Sequence, residues 1–72
     1  MPNSRFVKAT INGEERDLPD GTTVAALLAV LGTPNSGVAV ACNDRVVRRA
    51  DYASRVIVDG DALEIIKAVA GG

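Results

Sequence analysis

The first part of the chain alternates apolar and polar residues with the two-residue period of a β-strand. After Phe6, every second position is apolar up to Ile11, which predicts a strand with one buried face. Asn12 and Gly13 come next, and this dipeptide favours a two-residue hairpin turn because both residues tolerate positive φ. Residues 14–18 then form the returning strand, whose many charges suit the edge of a sheet.

The next apolar segment has helical spacing instead. Residues 24–31 carry apolar side chains at the i, i+3, i+4 and i+7 positions, which predicts a helix with one apolar stripe. The stripe consists of Val24, Leu27, Leu28 and Leu31. Thr22 and Thr23 precede it and offer a hydroxyl group that caps the first free amides. Gly32 ends the helix in the manner usual for glycine at a C-terminus.

The middle of the chain predicts a second hairpin. Val38–Cys42 is apolar enough to lie inside a sheet, and Asn43 and Asp44 turn the chain into the short strand Arg45–Val47. Residues 48–54 lack strand alternation and predict a turn or a short helix.

The last part of the chain completes the predicted fold. Tyr52 is expected to pack its ring against the domain, and Asp59 and Asp61 are expected to form a tight turn. The final strand covers residues 62–69. Residues 1–72 therefore form a single α+β domain, in which a mixed sheet of about five strands packs on one main helix.

Composition excludes several classes of function. The chain has 72 residues, no histidine and one cysteine, so the Ser-His and Cys-His nucleophile pairs and imidazole metal ligands are missing. We expect neither an enzyme in its own right nor a bound cofactor or metal. The net charge of −1, without a basic run, argues against nucleic acid. No apolar stretch is long enough to span a bilayer, so a cytoplasmic protein is expected.

The lone cysteine has two interpretations. Cys42 lies in an apolar run, where a free thiol usually behaves as a small buried hydrophobe. The alternative is a persulfide carrier or nucleophile. Because the chain has no histidine to activate the thiol, the structural interpretation is preferred.

The chain ends on two glycines, Gly71 and Gly72, directly after the last predicted strand. Glycine lacks Cβ, so such an end can enter a narrow channel and present the carboxylate of Gly72 to another protein. The reactive group predicted here is the C-terminus itself, on a flexible tail formed by Ala70, Gly71 and Gly72. The alternative is a small chain end without function.

Six short segments carry a family resemblance. They are residues 11–13 (Ile-Asn-Gly), 21–28 (GTTVAALL), 38–43 (VAVACN), 46–49 (VVRR), 59–61 (DGD) and 68–72 (AVAGG). With the order hairpin, helix, strands and diglycine, they resemble the ubiquitin-like β-grasp fold and, within it, the ThiS family of bacterial sulfur carriers of thiamine biosynthesis. The sequence departs from the family by extra residues before Phe6, by Arg48 where proline is common, and by Tyr52 where tryptophan is common.

The resemblance implies a protein cosubstrate. A ThiF-like enzyme would use ATP to adenylate the carboxylate of Gly72, and a sulfur donor such as a cysteine desulfurase would supply the sulfur of a thiocarboxylate. Thiazole synthase, a ThiG-like enzyme, would then accept this sulfur for the thiazole ring of thiamine.

A carrier of this kind needs a surface on which its partners dock. We predict the sheet face away from the helix, where Ile66 and Ala68, with Phe6 on the first strand, would form an apolar patch rimmed by Lys8 and Glu64. The alternative is that these are ordinary scattered apolar residues of a protein surface.

Three functions share this fold. The first is the thiamine sulfur carrier. The second is a sulfur carrier for another product, such as the small subunit of molybdopterin synthase, whose ending typically has prolines before the diglycine; residues 67–72 have none. The third is a ubiquitin-like modifier joined to lysines of other proteins, or a binding domain with an inert tail.

Overall fold

The computed structural model of the chain describes residues 5–33 and 37–67. Its elements are β1 (Phe6–Ile11), β2 (Glu14–Pro19), α1 (Val24–Val30), β3 (Val38–Cys42), β4 (Arg45–Val47), a turn of 3-10 helix (Arg49–Asp51) and β5 (Ala62–Lys67). The predicted helix and strands are confirmed, with β2 one residue longer and α1 one residue shorter than predicted. For β5, the predicted residues 68 and 69 lie outside the described residues.

The five strands form one mixed sheet in the order β2-β1-β5-β3-β4. Strand β5 pairs parallel with β1 and antiparallel with β3, while β1 with β2 and β3 with β4 form antiparallel hairpins. The last strand of the sequence therefore lies in the centre of the sheet. The predicted α+β architecture, a mixed five-stranded sheet of the β-grasp type on one helix, is confirmed. The predicted Gly-Gly tail lies outside the described residues.

Both hairpins turn on two residues with positive φ. In the first hairpin φ is 53° at Asn12 and 87° at Gly13, and in the second it is 54° at Asn43 and 68° at Asp44. These values are those of type I′ turns, whose backbone twist matches that of the strands they join. The turn predicted from each dipeptide is confirmed.

Helix α1 has a defined signal at each end. At its start, the Thr23 hydroxyl oxygen accepts a hydrogen bond from the Ala26 amide at 3.1 Å, so one of the free N–H groups of the first turn is satisfied. At its end, Gly32 has a φ of 71°, and the Thr33 amide donates to the Leu28 carbonyl at 2.9 Å. This is a Schellman ending, in which glycine adopts the left-handed conformation at low cost.

The core lies between α1 and one face of the sheet. Its buried residues come from both: Ala9, Ile11, Leu18, Val24, Leu27, Leu28, Val40, Cys42, Val47, Tyr52, Ile57 and Leu63. Tyr52 packs in this core as predicted, and its hydroxyl donates to the Val38 carbonyl at 3.4 Å. Helix α1 has seven residues and packs on one face of the sheet. The opposite face is not covered by α1, and side chains such as Val46 and Ile66 are exposed there.

The turn before β5 is built by its two aspartates, as predicted. Asp59 accepts a hydrogen bond from the Lys8 amide at 2.8 Å, and Asp61 accepts one from the Val58 amide at 2.9 Å. Asp61 is buried, and its carboxylate satisfies one backbone donor, the Val58 amide, and one side-chain donor, the Asn43 amide. Among the described residues, no helix combines the length and apolarity needed to cross a bilayer.

The N-cap of α1 gives a stability prediction. Replacing Thr23 with alanine removes the oxygen that accepts from the Ala26 amide, so the free energy of unfolding should fall by about 1 kcal/mol. Urea denaturation followed by circular dichroism measures it. Thr23→Ser keeps the acceptor and should stay within about 0.5 kcal/mol of the parent chain. Equal losses in the two variants would contradict a capping role.

Candidate functional site

The candidate site begins where β5 ends. Lys67, the last residue of β5, pairs with Val38 at the start of β3. The residues predicted to form the reactive tail, Ala70, Gly71 and Gly72, lie outside the described residues, and their role stays a prediction. What the structure does place is the surface around the end of the strand that leads to them.

An apolar patch covers the sheet face that α1 leaves open, beside the end of β5. Ala39 pairs with Ile66, and Ala41 pairs with Val46, so these four side chains lie on neighbouring strands of one face. Val46 is 77% exposed and Ile66 is 59% exposed. Glu64 pairs with Ala41 and lies at the edge of these residues. We call Ala39, Ala41, Val46 and Ile66 the open-face patch.

Phe6 does not belong to this patch, and the predicted grouping of Phe6 with Ile66 needs correction. Strands β1 and β5 run parallel with Thr10 opposite Ala62. Phe6 lies four residues before Thr10, whereas Ile66 lies four residues after Ala62. At about 3.3 Å per residue, the two are roughly 26 Å apart along the strands. Lys8, predicted as part of the rim, lies towards the Phe6 end as well. Sequence alternation identified the right face but not the position along it.

Three residues of the open-face patch were missed by the sequence prediction. Alternation within β3 already indicates that Ala39 and Ala41 face away from the core, since Val40 and Cys42 face it. The strand order places β3 and β4 next to β5, so their outward side chains extend the surface around Ile66. The alternation of apolar and polar residues does not predict this strand order. Ala68, predicted for the same patch, lies outside the described residues.

The cysteine is buried in the core, as preferred from the sequence. Cys42 is 2% exposed, and an Arg55 guanidinium nitrogen donates to its Sγ at 3.3 Å. Burial raises the pKa of the Cys42 thiol, the carboxylate of Asp61 raises it further, and Arg55 opposes both. The net result keeps the thiol protonated near neutral pH. The Arg55 contact was not foreseen, but it does not make Cys42 an activated nucleophile.

Charged residues near the end of β4 form one exposed ion pair. Arg48 pairs with Asp51 at 3.6 Å, and both side chains are exposed. This ion pair therefore contributes little to the stability of the fold. Within residues 5–33 and 37–67, no three acidic or cysteine side chains lie close enough to hold a metal ion. What the described residues offer is a strand end, an apolar surface beside it and a buried thiol.

Comparison with known proteins decides which β-grasp family this is. The sequence model of the ThiS family matches residues 7–72, which is almost the whole chain. The chain belongs to the ThiS family. The resemblance found in the six sequence segments is therefore confirmed.

Individual relatives agree with the ThiS family. The sulfur carrier protein ThiS of Escherichia coli is 33% identical over 61 residues, which are 85% of this chain and 92% of that protein. A solved structure of the thiamine biosynthesis protein ThiS from Geobacter metallireducens covers 92% of this chain and 100% of its own, with a TM-score of 0.77 and 28% identity. These two proteins match this chain over most of their own length, and the solved one has the same fold.

A longer relative adds a different context for ThiS. A protein of Paramagnetospirillum magneticum named thiazole synthase is 44% identical over 66 residues, which are 92% of this chain. This chain spans 20% of that relative's length. A ThiS-like segment therefore occurs there inside a much larger protein.

The pKa of Cys42 gives a prediction about pH. In the unfolded chain the thiol ionises near its ordinary value of 9.0, while the folded chain holds the proton to higher pH. The stability from the protonated thiol is therefore complete below pH 9.0 and should be lost progressively above it. Urea denaturation from about pH 7 to about pH 10.5 measures the effect.

The control for this experiment is Cys42→Ser, which places no titrating thiol at the position. Because the two chains differ only at this position, the stability difference between them isolates the contribution of Cys42. As pH rises above 9.0, the free energy of unfolding of the parent chain should fall relative to that of Cys42→Ser. A constant difference over the whole range would contradict the raised pKa.

Proposed function

We propose that this chain carries sulfur for formation of the thiamine thiazole ring, with the carboxylate of Gly72 as the group that is modified. The observation that supports this most directly is the family match, which runs through the diglycine to residue 72. Curated relatives of matching length are named sulfur carrier protein ThiS. The tail at the end of β5 is the segment on which this function would depend.

Activation is needed because a carboxylate is a poor electrophile. In the proposed reaction, the Gly72 carboxylate oxygen attacks the α-phosphorus of ATP on a ThiF-like enzyme, and pyrophosphate leaves. The product is an acyl-adenylate, whose AMP is a good leaving group. The terminal sulfur of a persulfide on a donor such as a cysteine desulfurase then attacks the same carbon and displaces AMP, which gives an acyl disulfide. A thiol of a partner protein cleaves this disulfide, so that the carrier leaves as a thiocarboxylate and a new disulfide remains on the partner. The resulting thiocarboxylate is the sulfur donor for the next enzyme.

The chain supplies the reagent, and partner enzymes supply the catalysis. It has no histidine, and its single thiol is buried beside Arg55, so it supplies neither an imidazole nor an accessible thiol for the transfer. We therefore propose a protein cosubstrate that binds no cofactor itself, with ATP bound by the activating enzyme. The cytoplasm, where ATP and these enzymes are found together, is the compartment that this proposal implies.

The proposed sulfur acceptor is a thiazole synthase of the ThiG type. A ThiS-like segment forms part of the proteins named thiazole synthase in Paramagnetospirillum magneticum and Magnetococcus marinus. Covalent joining of two domains raises the effective concentration of one at the other. A fusion of this kind is favourable when the two domains act on one another. It therefore supports an interaction between this chain and a separate thiazole synthase.

The open-face patch is the proposed docking surface for these enzymes. Its apolar side chains lie beside the end of β5, so a partner that covers Ile66 also lies next to the start of the tail. The alanines at positions 39 and 41 make the patch flat, which lets a partner approach the sheet closely. A partner that buries the exposed side chains of Val46 and Ile66 would remove apolar surface from water, and this burial would stabilise the complex.

The first experiment is intact-protein mass spectrometry of the chain with Gly72 as its free C-terminus. After incubation with ATP, a ThiF-like enzyme and a sulfur source, the mass should rise by the difference between sulfur and oxygen. A chain lacking Gly72 is the control and should show no gain. An unchanged mass, with a ThiF-like enzyme proven active on another carrier, would argue against the proposal. Adducts on lysines of other proteins would indicate a modifier instead.

A matched pair of substitutions tests the docking surface. Ile66 and Phe6 are each 59% exposed but lie at opposite ends of the sheet, so Phe6→Asp is a fair control for Ile66→Asp. Burying a carboxylate at the patch should lower kcat/KM for adenylation about tenfold or more in Ile66→Asp, with little change in Phe6→Asp. Pyrophosphate release measures both rates. Equal rates would show that the patch does not contact the activating enzyme.

A further inference from the structure

Two asparagine side chains hold β5, one at each end. Asn12 accepts a hydrogen bond from the Ile65 amide at 2.8 Å and donates one to the Ile65 carbonyl at 3.3 Å. Asn43 accepts from the Ala62 amide and donates to an Asp61 carboxylate oxygen, both at 3.0 Å. Each asparagine is the first residue of a type I′ turn, and the two turns lie on opposite sides of β5.

The Asn12 side chain takes the place of a peptide group in the β1–β5 ladder. The backbone amide of Asn12 donates to the Leu63 carbonyl at 2.9 Å, which is the last backbone bond before β1 turns away at Gly13. The side-chain amide then offers a C=O and an N–H to Ile65, the next residue whose backbone N–H and C=O point towards β1. Pairing on the β1 side therefore extends one step further than the backbone of β1 can reach.

The turn does not require this side chain. Asn12 has a φ of 53°, a conformation that glycine adopts with less strain. A type I′ turn accepts glycine at both central positions. The two hydrogen bonds to Ile65 are therefore a second role of the Asn12 side chain, separate from the role of Asn12 in the hairpin turn.

We propose that Asn12 is a positioning residue for the sulfur-carrier chemistry, because it fixes the end of β5 from which the tail leaves. The inference rests on the proposed function. Ile65 directly precedes Ile66 of the open-face patch, so the Asn12 bonds also help to fix the position of Ile66. Beyond Lys67, residues 68–72 span at most about 17 Å when fully extended. A partner that binds the patch and the carboxylate together depends on where this short span begins.

Loss of the Asn12 side-chain bonds should weaken binding of the carrier to the activating enzyme and leave the rate of the adenylation step unchanged. Without the Asn12 bonds, the end of β5 is held from the β3 side alone. Such a chain must order Ile66 further when it docks, and this ordering weakens the association. Once the carboxylate is seated on the enzyme, its reaction with ATP involves no atom of Asn12. Loss of the amide should therefore raise KM for the carrier about fivefold and leave kcat unchanged.

Three variants test this. Asn12→Gly keeps the positive φ and removes both bonds to Ile65, whereas Asn12→Asp keeps the acceptor for the Ile65 amide and loses the donor. Asn43→Gly is the matched control, because it removes as many side-chain bonds from the same kind of turn at the other end of β5. Thermal unfolding shows that all three remain folded and gives the stability loss of each.

Amide exchange measured by NMR gives the first readout and needs no enzyme. Exchange at Ile65 should rise about fivefold or more in Asn12→Gly, which corresponds to the net strength of a typical hydrogen bond. In Asn43→Gly the increase should occur at Ala62 instead. Unchanged exchange at Ile65 in Asn12→Gly would overturn the proposal, because the amide would then not hold the strand in solution.

Adenylation kinetics give the second readout. KM should increase in the order parent chain, Asn12→Asp, Asn12→Gly at constant kcat, while Asn43→Gly keeps the parental KM despite its stability loss. Equal KM increases in the two glycine variants would overturn the proposal, since Asn12 would then contribute stability alone. If the parent chain itself is not adenylated, the proposed function fails, and the exchange result still decides whether Asn12 holds β5.

Discussion

The central position of β5 is the constraint on which the rest of the structure depends. The order β2-β1-β5-β3-β4 places the last strand between two hairpins that do not pair with each other. Only β5 joins them into one sheet, through parallel pairing with β1 and antiparallel pairing with β3. Folding therefore needs contacts between the first and last parts of the sequence, and the strand that leads to the tail is also held from both sides.

This arrangement separates the stabilising face of the sheet from the face proposed for binding. The short helix α1 covers one face, where Leu27, Leu28 and Leu63 are fully buried. Residues 5–33 and 37–67 contain no second layer over the opposite face of the sheet. Small residues in β3 keep this face flat beside Ile66, and its proposed use in docking requires no change in the fold.

Local features of the structure were predictable from sequence, and long-range pairings were not. The Asn12-Gly13 turn, the Thr23 cap and the Gly32 ending each depend on residues within a few positions. The separation of Phe6 from Ile66 depends on the parallel register of β1 and β5, which no local pattern encodes. For the same reason the bond between Asn12 and Ile65, 53 residues apart, was missed. In the sequence, the hairpin turn alone is enough to explain an asparagine at position 12, so nothing there points to a second role.

The burial of Cys42 acquires a chemical consequence in the proposed function. An acyl-adenylate at Gly72 is open to attack by any accessible thiolate, and an accessible thiolate on the carrier itself would form an internal thioester instead of a thiocarboxylate. Here the only thiol of the chain is buried in the core, and its pKa is raised by that burial and by Asp61. The core thus removes a competing nucleophile from a molecule whose tail must react only with the sulfur that a partner supplies.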